Sequence, residues 1–233
     1  MNQASENIHT IFLDVGGTLL RAHPSVGEIY AEVAAEHGIA VDSAEVQQNV
    51  RGTFWQKLLK RRSRGEMSPQ TGSIEGAKDF WREVVRGGLG EAAEHQAFDT
   101  YFEDVFEQFS HARRYRFFDE AHDVLKGLRD SGYRLGIISN WDTRLRTVLE
   151  EFEVTDMFDP IIISGEVGHE KPFSEIFQIA RKRAGARSAD RLLQVGDSFY
   201  EDYEAAIAAG FEARHIDRSK GQTLMTALED LIA

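Results

Sequence analysis

Four short polar clusters hold the residues able to do chemistry. Asp14 runs into Val-Gly-Gly-Thr18; Ser139 and Asn140 stand together; His169, Glu170 and Lys171 share a segment; Gly196, Asp197 and Ser198 precede Glu201 and Asp202. Each cluster ends or follows an apolar run. Gathered in one crevice, Asp14, Asp197 and Asp202 would repel, at about 4 kcal/mol per pair for ~4 Å and an effective dielectric of roughly 20. A hard divalent cation relieves that repulsion. Mg²⁺ favours one or two carboxylates completed by backbone oxygen, water and a substrate phosphate. Lys171 adds positive charge, and Gly16 and Gly17 let the backbone come close to a ligand. Phosphoryl transfer needs this equipment: an in-line nucleophile, cations over the equatorial oxygens and fixed donors. A carboxylate can be the nucleophile, dividing hydrolysis into formation and breakdown of an acyl phosphate.

Clusters this far apart in sequence meet only if the fold brings them to one edge. Residues 119–233 alternate helical patterns with short runs rich in β-branched residues. Asp119 and Asp142 are placed to cap helices, and Pro172 suits a first helical turn. Strands are expected at Tyr133 to Ile138, Pro160 to Ile163, Arg191 to Val195 and Phe211 to Ile216. Helices are expected from Tyr200 to Ala209 and from Thr223 to Ile232. This alternation means βαβ units and a parallel sheet. Ligands of such sheets bind beyond the carboxyl ends of the strands, which is where all four clusters fall.

One further strand, His9 to Leu13, comes first. Residues 21–118 then carry no convincing strand and four apolar stripes at helical spacing. The stripes run through Val26 to Val33, Val46 to Leu59, Ile74 to Val85 and Phe98 to Phe109, with a loop over Arg62 to Ser73. Four such helices make a bundle whose aromatics read as core. The expected architecture is α/β: a Rossmann-like parallel-sheet core from residues 1–20 and 119–233, with an inserted helical-bundle cap over 21–118.

Composition sets the outer bounds. The chain has 233 residues, no cysteine and a formal net charge of -12. No thiolate metal site or cysteine nucleophile is open to it, and its charge argues against a nucleic-acid partner. The N-terminus lacks the basic and apolar regions of a signal peptide, and no run approaches the ~18 apolar residues of a membrane span. The expectation is a soluble, cytoplasmic protein with a small-molecule substrate; oligomeric state is open.

Taken together, the clusters resemble the four motifs of the haloacid dehalogenase-like hydrolase superfamily, in order. Ile11-Phe-Leu-Asp-Val-Gly-Gly-Thr-Leu19 resembles the first motif, Gly136-Ile-Ile-Ser-Asn140 the second, Lys171-Pro-Phe-Ser-Glu-Ile-Phe177 the third and Gly196-Asp-Ser-Phe-Tyr-Glu-Asp202 the fourth. The resemblance implies a helical cap and casts Asp14 as nucleophile. It implies that Ser139, the Asn140 amide and Lys171 cradle phosphate beside Gly17 and Thr18. Asp14, the Gly16 carbonyl, Asp197 and Asp202 would form the Mg²⁺ side. The implied activity is a phosphatase of small phosphorylated molecules.

One departure matters. Phosphatases of that family place a second aspartate two residues after the nucleophile, where it protonates the leaving group and then activates water. This chain has Gly16. Asp142 and His169 are conceivable surrogate donors, although a helix cap and a loop residue are the plainer readings. Family members lacking that aspartate include metal-free haloacid dehalogenases, and phosphonate hydrolases that use a cap lysine; Lys57, Lys60 and Lys78 are the cap lysines to weigh. The basic run Lys57, Lys60, Arg61, Arg62 and Arg64, with Arg113, Arg114 and Arg116, reads as a solvated face or a steering patch. The rival function is a protein that keeps the fold but binds a phospho-ligand or partner without turnover.

Overall fold

The computed structural model describes residues 8–67 and 72–232. The part of the expected core over 1–7, the middle of the expected 62–73 loop at 68–71, and residue 233 lie outside the described residues. In chain order the elements are β1 (Ile8–Leu13), β2 (Leu20–Ala22), α1 (Val26–Glu36), α2 (Ser43–Arg62), α3 (Ile74–Leu89), α4 (Phe98–Gln108), β3 (Tyr115–Phe117), α5 (Ala121–Asp130) and β4 (Arg134–Ser139). There follow α6 (Arg144–Glu151), β5 (Ile161–Ile163), α7 (Ser164–Val167), α8 (Ser174–Arg183), β6 (Arg191–Gly196), α9 (Ala205–Ala208), β7 (Glu212–His215) and α10 (Leu224–Leu228). Five strands form a parallel sheet in the order β5-β4-β1-β6-β7. The fold is an α/β, Rossmann-like one.

Alternation along each strand explains the three layers. Ile11 and Leu13 of β1, Leu135 and Ile137 of β4 and Leu193 and Val195 of β6 face one side, where Val124, Leu125 and Leu128 of α5, Val148 of α6 and Leu228 of α10 cover them. Phe12, Ile138 and Leu192 face the other, against Ile176 and Phe177 of α8 and Ala206 of α9. Strands covered on both faces read as continuous apolar runs, which is why the strands were visible in the sequence. Burying each of these side chains is worth about 1.5–3 kcal/mol.

The helices α1 to α4 build a separate cluster from Tyr30 and Val33, Val46 and Val50, Val84 and Val85, and Tyr101 and Phe102. Their starts are set by local chemistry. Ser25 and Glu28 form a reciprocal capping box on α1, Asp42 accepts from the Glu45 N–H on α2, and Ser73 accepts from the Gly76 N–H on α3.

Several local expectations need correction. The 21–118 stretch does contain strand: β2 pairs antiparallel with β3, joining the entry to the bundle and the exit from it. Three residues each are too few to show a period of two. Asp119 does not cap α5, whose first flanking residue is Glu120 with no side-chain cap. Asp142 stands before α6 as expected, its Oδ1 accepting the Arg144 backbone N–H at 3.1 Å, and the Arg144 guanidinium binds both of its oxygens as well. Pro172 precedes its helix; α8 opens at Ser174 behind an extended Phe173. Trp55 and Leu59, expected in the α2 stripe, are exposed. No helix among the described residues is long and apolar enough to cross a membrane.

Candidate active site

The strand order places β1 at the centre, with β4 on one side and β6 on the other. Leu13 pairs with Ile137 and with Val195, so the next residue, Asp14, emerges at the carboxyl edge between the two flanking strands. The Asp14 N–H is tied to the Val195 carbonyl at 2.9 Å. From β4, the Ser139 hydroxyl donates to Asp14 Oδ1 at 2.8 Å. From the loop after α7, Lys171 Nζ donates to the same oxygen at 2.9 Å, to the Ile138 carbonyl at 3.0 Å and to Asp202 Oδ1 at 2.5 Å. Asp202 lies in a single π-helical turn, Phe199–Glu204, ahead of α9. It also accepts from Gln194 Nε2 at 2.9 Å and from the Ser198 N–H at 3.1 Å. Thr18 Oγ1 accepts from the Asp197 N–H at 3.1 Å, joining the first and fourth clusters.

Glycines make this closeness possible at two positions. Gly17 sits at φ +78°, and a Cβ there would lie 2.3 Å from Asp197 Oδ2. A Cβ at Gly196 would lie 2.1 Å from Asp202 Cγ. Gly16 is different: its missing Cβ would meet only Trp141 Cζ3, at an ordinary 3.7 Å.

The electrostatics follow from burial. Loss of solvation pushes the Asp14 carboxyl up to about 7; Asp202 and Asp197 push the same way, and Lys171 opposes. Asp197 is likewise held above the ordinary carboxylate range, first by lost solvation and then by Asp202, against Lys171. Burial alone would lower Lys171, but Asp14, Asp202 and Glu201 outweigh it and hold the ammonium above the usual lysine value. One oxygen from each of Asp14, Asp197 and Asp202 lies within 4.8 Å of the others. Three hard oxygen donors facing one buried ammonium leave an excess of negative charge, and this donor set fits a hard divalent cation.

These groups open on a cavity of about 330 Å³ also walled by Phe54, Trp55, Leu58 and Arg62 of α2. Arg62, which the sequence offered only as one member of a basic run, turns into the crevice. It pairs with Glu201 at 2.6 Å and donates to the Lys171 carbonyl at 3.1 Å, so the bundle grips the crevice. Elsewhere in the basic runs Lys57 pairs with Glu83, Arg61 with Glu66 and the largely buried Arg114 with Glu32. Arg218 is an omission, donating to the Gly17 and Thr18 carbonyls at 2.8 and 2.6 Å and fixing that turn. The Asn140 side chain is used structurally, accepting from the Lys171 N–H at 2.7 Å and donating to its carbonyl at 2.8 Å. Neither conceivable surrogate acid enters the cavity. Asp142 is clamped by Arg144, and His169 is absent from the cavity wall.

Comparison with known proteins points the same way. The sequence profile of the haloacid dehalogenase-like hydrolase family matches residues 8–210. Haloacid dehalogenase-like hydrolase domain-containing protein 3 of Mus musculus is 31% identical over 204 residues, 86% of this chain and 78% of that protein. A glyceraldehyde 3-phosphate phosphatase of Methanothermobacter thermautotrophicus is 38% identical over a shorter 102 residues, 41% of this chain and 42% of that one. Among solved structures, a magnesium-bound HAD-hydrolase from Bacillus subtilis superposes with a TM-score of 0.75 at 18% identity, covering 97% of this chain and 99% of that one.

Proposed function

The chain belongs to the haloacid dehalogenase-like hydrolase family, and from that premise we propose that it is a Mg²⁺-dependent phosphatase of small phosphorylated molecules working through an aspartyl phosphate. The observation that carries this reading is the placing of Asp14: at the end of the central strand, against Lys171 Nζ, beside two further aspartates and open to a cavity.

In this reading Asp14 is the nucleophile. Ser139, the Asn140 backbone N–H and Lys171 cradle the phosphoryl oxygens, and the Gly17-Thr18 turn closes that cradle. Asp14, Asp197, Asp202 and the Gly16 carbonyl would hold Mg²⁺; Asp202 Oδ2 accepts the Ser198 N–H and has a second lone pair for the ion. Bound Mg²⁺ supplies charge neutralisation for the phosphoryl oxygens. The α1–α4 bundle serves as the cap, closing over the crevice and excluding water.

The glyceraldehyde 3-phosphate phosphatase relative supports phosphate-ester hydrolysis. A dehalogenase without metal has no use for three gathered carboxylates. The cap lysines suit no Schiff base either: Lys57 and Lys78 are paired with Glu83 and Glu103, and none of the three lines the cavity. Gly16 alone favours binding without turnover. A panel of phosphate esters assayed with Mg²⁺ and again with EDTA tests the proposal. Turnover that disappears with EDTA supports it; tight Mg²⁺ binding with no ester hydrolysed overturns it.

The charge excess predicts a pH-dependent effect of Mg²⁺ on stability. A carboxyl raised from 3.8 to about 7 favours the folded state when protonated. That contribution is complete below pH ~4 and is lost as pH rises through 7. Protons and Mg²⁺ compete for the same oxygens, so Mg²⁺ should raise the melting temperature little at pH 5 and by several degrees at pH 8. Thermal melts at both pH values with and without Mg²⁺ measure this. Equal shifts at the two would contradict it.

A further inference from the structure

A second cavity, of about 320 Å³, is walled mostly by α1 to α4, with Ala22 and Tyr115 of the β2–β3 pair and Trp141 and Arg144 completing it. Its walls are mostly apolar rings and branched side chains, Trp81, Phe102, Phe106 and Val85 among them. Phe54 and Trp141 line both this cavity and the one over Asp14, so the two share a wall. Trp141 is the residue next to Asn140, and its ring edge is the nearest atom to the side chain that Gly16 lacks. Interiors are packed nearly as densely as organic crystals, so a void of this size among aromatics forfeits contacts that an apolar ligand would restore.

Part of its polar lining is committed elsewhere, while Trp81 Nε1 is a buried donor without a partner among the described residues. Arg144 is held by Asp142 and by the Phe106 carbonyl at 2.7 Å, the Tyr115 hydroxyl donates to the Phe109 carbonyl at 3.1 Å, and Gln47 Oε1 accepts from the Gly27 N–H at 2.7 Å. A sugar carries more hydroxyls than this lining can pair, at a cost in binding, whereas the Trp81 N–H can serve a single ring oxygen. An apolar cavity of about 150 Å³ accepts one benzene ring; this one has room for two.

An independent observation selects the same kind of molecule. With glycine at position 16, neither Asp142 nor His169 on the cavity wall, and the lining acids Glu170 and Glu201 both paired with Arg62, no acid among the described residues around the cavity is placed to protonate a leaving oxygen. An aromatic hydroxyl with pKa near that of tyrosine, about 10, leaves unaided far more readily than an alkoxide, whose acid is nearly as weak as water at about 15.7. Resting on the phosphatase reading, we infer that the substrate is the phosphate ester of a two-ring aromatic hydroxyl compound, with its rings in this cavity. An Asp14 carboxylate oxygen bonds to phosphorus as the P–O(aryl) bond breaks. The aryl oxide leaves with that electron pair and takes a proton from solvent. Water then cleaves the acyl phosphate, returning the Asp14 carboxylate and releasing inorganic phosphate and a proton.

The test uses 2-naphthol and 2-naphthyl phosphate against phenyl phosphate, with Val26→Trp on α1 and Val105→Phe on α4 filling the cavity from two walls. Naphthol binding, read by its fluorescence, should weaken at least tenfold in both variants. The naphthyl ester should exceed the phenyl ester at least tenfold in kcat/KM, and that advantage should vanish in the variants, whose circular dichroism and cooperative thermal melts report intact folding. Naphthol that fails to bind, or binds the filled variants equally, overturns the inference, as does an absent naphthyl advantage. If no ester is turned over, the phosphatase reading falls and the inferred substrate falls with it; naphthol binding then reports on the cavity alone.

Discussion

Asp14→Asn should lower turnover of 4-nitrophenyl phosphate by at least about 10³-fold, roughly 4 kcal/mol of transition-state stabilisation. An amide oxygen carries neither the charge nor the lone-pair basicity to open an acyl-phosphate route, and nothing else in the cavity offers a carboxylate held by both a serine hydroxyl and a buried ammonium. The same change should leave the metal-free fold as stable as before, or more so. It removes one of three mutually repelling carboxyls, and Lys171 keeps Asp202 and the Ile138 carbonyl as partners. Most changes at buried polar positions destabilise, so loss of activity with an undiminished melting temperature is a distinctive pair of results. Steady-state kinetics and a thermal melt on one sample read both. A variant within tenfold of the parent rate would remove Asp14 from the nucleophile's role.

The fold and the meeting of Asp14, Ser139, Lys171, Asp197 and Asp202 were legible because each follows a strand or loop whose signal is local. An apolar run buried on both faces announces a strand, and parallel topology then sends every strand's carboxyl end to the same edge. Arg62 was not legible as a residue of the crevice. It ends a helix in a run of lysines and arginines, and only the packing of α2 on the rest of the bundle decides which of them turns inward to Glu201. The second cavity was hidden for a related reason. Phe54, Trp81, Phe106 and Phe109 have core spacing, and periodicity says which face is apolar without saying whether the facing surface fills it. Asp142 was legible only in part: it accepts the first N–H of α6, as an aspartate before a helix should, but the two charge-assisted hydrogen bonds from the Arg144 guanidinium depend on a side chain's direction.

On the phosphatase reading, Gly16→Asp should raise the hydrolysis of alkyl phosphates. A positioned acid–base group contributes about 10²–10⁴-fold, and the gain should fall on substrates whose leaving oxygen needs a proton. Alkyl ester kcat/KM should therefore rise about 10²-fold or more, while aryl esters change less than about tenfold. The site can take the side chain. The new Cβ meets Trp141 at 3.7 Å, and the backbone at 16 lies outside the positive-φ region that burdens Gly17. Gly17→Asp is the contrasting control, since its Cβ would sit 2.3 Å from an Asp197 oxygen at φ +78°. A fourth carboxylate beside Asp14, Asp197 and Asp202 adds repulsion, so Gly16→Asp should melt lower than the parent at pH 8 without Mg²⁺ and regain most of the difference with it. The alkyl-to-aryl ratio of kcat/KM, compared between parent and Gly16→Asp, isolates leaving-group protonation from any general change in folding or metal affinity. A folded, Mg²⁺-binding Gly16→Asp protein with an unchanged ratio would mean that proton delivery at this position does not limit the reaction, and that the aromatic cavity alone sets the preference.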